Sequence, residues 1–89
     1  LDIEALRADT PGCVNVIHLN NAGSALAPRI VTDTVVEHLR REEEIGGYEA
    51  YAEAKDRVDA VYESIGRLIN APADHVALVE SATVAWDRG

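Results

Sequence analysis

The sequence predicts a helix-rich α/β fold with two main amphipathic helices and one or two short strands. Three observations lead there. Apolar residues recur at helical spacing after Pro28, and again from Tyr48 to Ile69. Two short runs, Val14–Leu19 and Val76–Val79, read as strands, the first rich in β-branched residues and the second apolar on both faces. Proline and glycine mark the boundaries between these segments.

Taken in order, Asp2 to Ala8 fits a short helix ended by the turn Asp9-Thr10-Pro11-Gly12. The first strand follows, then a loop of small residues from Asn20 to Ala27. Pro28 suits the first turn of a helix, where its missing N–H would have no partner. That helix places Ile30, Val31, Val35 and Leu39 on one face, and Gly46-Gly47 stops it. Glu42-Glu43-Glu44 near its C-terminus opposes the macrodipole, so these acids are expected in solvent or paired with Arg40 and Arg41. The longer helix, Tyr48 to Ile69, carries a face that includes Tyr51, Ala54, Val58, Tyr62 and Ile65, and Asn70-Ala71-Pro72 ends it. After the second strand, Ser81-Ala82-Thr83 leads into a last helix, Val84 to Asp87, in which Trp86 is expected to pack.

Composition narrows the function. With 89 residues there is room for one domain at most, and a chain this short buries only about 60% of its unfolded surface. With no Phe, no Met and one Trp, the core must come from smaller side chains. A strand apolar on both faces needs neighbours that a chain of this length does not supply, so residues 1–89 are expected to be a single incomplete domain. Leu1 in the place of an initiator methionine adds to that expectation. Sixteen acids against eight bases, a net charge of -8, argue against nucleic acid and against an anionic membrane surface. No apolar run approaches the ~20 residues of a membrane span, and the single Cys13 permits no internal disulfide, which makes a cytoplasmic location the expectation.

Chemistry concentrates at the turn before the last helix. A helix N-terminus offers unpaired N–H groups to a phosphate, small residues let it approach, and Thr83 adds a hydroxyl. The plainer reading is that Ser81 or Thr83 only caps the helix. The glycine patterns of nucleotide-binding loops are absent. His18, His38 and His75 are widely spaced, and none pairs with Cys13 at metal-ligand spacing.

Three segments then appear in order: Ile17-His18-Leu19-Asn20-Asn21-Ala22-Gly23, Glu44-Ile45-Gly46-Gly47-Tyr48-Glu49-Ala50, and Ala77 to Asp87 with Glu80-Ser81-Ala82-Thr83 at its centre. Their order and spacing resemble the amino-terminal part of class V aminotransferase and cysteine desulfurase-like enzymes, which use pyridoxal 5'-phosphate. The resemblance implies a segment of a fold type I large domain with a seven-stranded, mostly parallel sheet. It implies an amino-acid substrate and a homodimeric parent. It also implies that Ser81, Ala82 and Thr83 help to hold the cofactor phosphate. Asn20, Asn21, Ala22 and Gly23 match a substrate-side loop that often reads Asp-Asn-Ala in cysteine desulfurases. Asn20 in place of that aspartate leans toward an epimerase-like or lyase-like branch, while the plainer reading is a turn in which both amides bond local backbone.

The cofactor's chemistry needs a lysine for covalent attachment and a carboxylate at the pyridine nitrogen. The one lysine is Lys55, at the edge of the long helix's apolar stripe with Asp59 one turn on, where it reads as a surface ion pair. No catalytic residue is therefore expected in the chain. The competing reading is a small acidic helical module that docks a protein partner through an apolar helix face.

Overall fold

A computed structural model describes every residue, Leu1–Gly89. Four α-helices follow one another: α1 (Ile3–Ala8), α2 (Arg29–Ile45), α3 (Gly47–Ile69) and α4 (Ala82–Arg88). Two 3-10 turns, Pro11–Val14 and Ala73–His75, lie between them. Helix accounts for 67% of the chain and strand for none, which overturns the expected α/β fold.

Both predicted strands fail for physical reasons. Val14 is drawn into the first 3-10 turn, where the Asn15 N–H donates to Gly12 (3.1 Å) and the Asn15 amide donates to the Pro11 carbonyl (3.2 Å). A local side-chain bond of this kind competes with extended pairing. Val76 does have an extended backbone (φ -100°, ψ 126°), but no segment pairs with it to build a ladder. Leu78 and Val79 consequently stand exposed instead of buried on both faces.

The chain divides into two compact units, Leu1–Ala50 and Tyr51–Gly89. In the first, Asp2 caps α1 by accepting from the Ala5 N–H (3.0 Å), and Thr10 closes its other end by donating to the Leu6 carbonyl (2.9 Å). The following 3-10 turn packs on α1. Pro28 sits just before α2 and has no side chain able to cap it. The exposed first donor of α2, the Arg29 N–H, instead bonds the Asp9 carbonyl at 2.7 Å. That bond ties the start of α2 to the end of α1, and Leu26 lies against Gly12 beside it.

A single residue breaks α2 from α3. Gly46 adopts φ +92°, a left-handed conformation that L residues rarely take, and Gly47 already belongs to α3. In the second unit, α3 ends in a Schellman motif: Asn70 is left-handed (φ 55°), and the Ala71 N–H returns to the Gly66 carbonyl at 2.9 Å. A methyl group on Gly66 would stand 2.6 Å from the Ala71 carbonyl oxygen, so only glycine fits there.

Burial is sparse. The buried apolar residues are Ala50 and Ala54, whereas Ile17, Leu19, Leu68 and Trp86 are each more than four-fifths exposed. Trp86 thus does not pack as the sequence suggested.

Two substitutions test the close of α3. Gly66→Ala should abolish hydrogen-exchange protection of the Ala71 N–H, because the added methyl group collides with backbone and overpacking costs about 1–3 kcal/mol. Asn70→Gly should keep it, since glycine adopts the left-handed conformation freely. Protection unchanged in Gly66→Ala would refute the motif.

Candidate functional site

The phosphate turn expected at Ser81-Ala82-Thr83 lies at the start of α4, which begins two residues earlier than the sequence suggested. Ser81 is extended (φ -161°, ψ 163°), and its Oγ accepts from the Val84 N–H at 3.2 Å, with its carbonyl accepting from Ala85 at 3.0 Å. The serine oxygen is therefore occupied as a cap. The N–H groups of Ala82 and Thr83 occupy the first turn, where the helix supplies no acceptor. Thr83 is exposed. This leaves two backbone donors and one hydroxyl within a short stretch, chemistry suited to phosphate oxygens. With seven residues, α4 adds little dipole to them.

The second predicted site, Asn20 to Gly23, belongs to the first unit. The Asn20 carbonyl accepts from the N–H groups of Gly23 and Ser24, both at 3.1 Å, and its side-chain oxygen accepts from Gly23 at 3.2 Å. Asn20 thus serves the turn, as the plainer reading had it. Its amide lies so close to Gly23 that a methyl group there would stand 2.6 Å from Asn20 Nδ2. Ala22 and Gly23 complete the turn.

Asn21 alone of the four lines a cleft of about 380 Å³. Arg7, Cys13 and His18 contribute the cleft's ionisable groups. Val16, Ile17 and Leu26 supply apolar wall. His18 is held by its Nε2, which donates to the Ser24 carbonyl at 2.7 Å and so leaves Nδ1 as an acceptor when the ring is neutral. Sequence reasoning did not single out Arg7 or Leu26. They reach the cleft only because the Asp9–Arg29 bond and the Gly12–Leu26 contact fold the first unit back on itself.

Three pairs of ionisable side chains lie one helical turn apart. Lys55 Nζ donates to Asp59 at 2.5 Å with both side chains about half exposed. That hydrogen bond, and then the Asp59 charge, raise the lysine's pKa above its ordinary value. A nucleophilic lysine needs the opposite shift. Arg41 pairs with Glu44 (2.9 Å), and Glu42 turns to His38 (3.1 Å) instead of the arginines. No three His, Cys, Asp or Glu side chains converge. No helix is long and apolar enough to cross a membrane.

Ser81→Ala should destabilise α4 by about 1 kcal/mol, the usual cost of losing an N-cap, and lower the helical Cα shifts of residues 82–88. Ser81→Asp should preserve them, and equal shifts in all three proteins would show that Ser81 is not a cap. Compared with protein-family profiles, with curated proteins and with solved structures, the chain matches none.

Proposed function

We propose that this chain is the amino-terminal segment of a class V aminotransferase-like, pyridoxal-phosphate-dependent enzyme acting on an amino acid. The observation that carries the reading is the order and spacing of the three segments around Asn20–Gly23, Gly46-Gly47 and Ser81–Thr83. Two structural features support it. The first turn of α4 offers the Ala82 and Thr83 N–H groups and the Thr83 hydroxyl to a phosphate. The apolar faces left exposed are surfaces that the rest of a larger protein would cover.

Ala82 and Thr83 would hold the phosphate by N–H donation, with the Thr83 hydroxyl as a third donor, while Ser81 fixes the turn from which they project. When bound, the cofactor supplies an electron sink for bonds broken at the substrate's α-carbon. Lys55, protonated and paired with Asp59, holds nothing covalently, so the 89 residues contribute to the grip and do not catalyse. Transamination, desulfuration, epimerisation and lyase chemistry all fall within the resemblance. The reading includes a homodimeric parent in the cytoplasm.

One observation favours a second reading. Ile30, Val31, Val35 and Leu39 form an exposed stripe on α2, as a small acidic helical module would present to a protein partner. The open reading frame separates the two. A frame running several hundred residues past Gly89, with a lysine following a strand, supports the enzyme; a stop codon at that point supports the module. In such a parent, Thr83→Ala should weaken cofactor retention about 5- to 30-fold, the scale of a hydrogen bond to a charged group. Unchanged retention removes Thr83 from the site. The isolated chain mixed with cofactor should emerge from gel filtration colourless, and a persistent visible band would contradict the role given to Lys55.

A further inference from the structure

We infer that the cleft of the first unit is a binding site for a small aliphatic carboxylate, with Arg7 as its cationic anchor. The site stands on the geometry of residues 7–29 and does not depend on the cofactor reading.

The charge distribution is the first argument. The chain holds sixteen acidic residues and eight basic ones, yet no Asp or Glu lines this cleft and one arginine does. The Arg7 guanidinium makes no ion pair within the chain, so its planar fork is available to a carboxylate. Asn21 supplies an amide in the same cleft, with N–H donors for a carboxylate oxygen. Its neighbour Asn20 is bonded into the turn, which fixes the loop from which Asn21 projects.

Shape and apolar lining set the class of ligand. At about 380 Å³ the cleft lies near the lower end of the ~300–1,000 Å³ range of small-molecule sites. Val16, Ile17 and Leu26 offer aliphatic wall beside the polar groups, matching an acid with a short hydrocarbon tail. Phosphate and sulfate, which have no tail, leave that wall unused. His18 is tethered to Ser24 and Leu26 rests on Gly12, so these two lining residues are held by contacts that do not require ligand.

The test is a titration of the ¹⁵N-labelled chain with propionate at constant ionic strength, followed by NMR. Saturable shifts are expected at the amides of Arg7, Cys13 and Asn21, with millimolar affinity. Propionamide, the same shape without charge, should produce none of them. Arg7→Gln should weaken binding about tenfold or more, and Arg7→Lys, a point charge without the fork, should fall between it and the native chain. Asn21→Ala should weaken binding severalfold while leaving the shifts of Asn20 and Gly23 in place. Equal response to propionamide, equal affinity in Arg7→Gln, or shifts as large at Arg29 and Arg88 as in the cleft would each overturn the site. So would the absence of a nuclear Overhauser contact between Gly12 and Leu26, which would mean that the cleft is not formed.

Discussion

Fixing each residue of a helix costs about 1–2 kcal/mol of backbone entropy, and most of that cost is normally offset by burying an apolar face. α3 has 23 residues and an apolar face along its length, but the residues it buries are Ala50, Ala54 and Gly66. None has a side chain larger than a methyl group. Burying one Leu, Ile or Val contributes about 1.5–3 kcal/mol. Leu68 and Ile69 on the same helix, 84% and 60% exposed, leave that contribution largely unrealised. The shortage of burial shapes everything else in the chain.

With little core, order comes from backbone chemistry at the ends of elements. Asp2 and Ser81 cap α1 and α4, Gly46 turns the chain between α2 and α3, and Asn70 with Gly66 closes α3. Ion pairs such as Lys55–Asp59 and Arg41–Glu44 lie in solvent, where water and salt screen them and they add little. Only in the first unit do distant residues meet by a backbone bond outside a helix, from Arg29 to Asp9, and that unit holds the cleft lined by Arg7 and Asn21. The Ser81–Thr83 turn, by contrast, is built entirely from neighbours in sequence.

The parts legible in the sequence are those with local causes. The 3.6-residue periodicity places both long helices to within a residue or two, and Asn70-Ala71-Pro72 marks the end of α3 because asparagine tolerates the left-handed position. The strands are not legible because pairing is not local: a β-branched run such as Val14 to Leu19 reads as strand whether or not a partner exists. The start of α4 is misplaced because Ser81 acts as the cap itself, which draws Ala82 and Thr83 into the helix. Of the candidate site residues, Ala82 and Thr83 stand in the first turn of α4 and Asn21 lines the cleft, while Ser81 is spent as the helix cap and Asn20 on its own turn. Arg7 carries no local signal at all, since its place in the cleft depends on a residue twenty-two positions later in the chain.

A chain whose elements are held at their ends should not melt as one body. Its apolar faces stand exposed, so little burial couples one element to the next. Scanning calorimetry of the 89-residue chain tests this most directly. A broad transition is expected, with a heat-capacity change well below the ~1.1–1.3 kcal/mol/K of a fully packed domain of this length. A single sharp peak with the full heat-capacity change, and equal calorimetric and van't Hoff enthalpies, would contradict it.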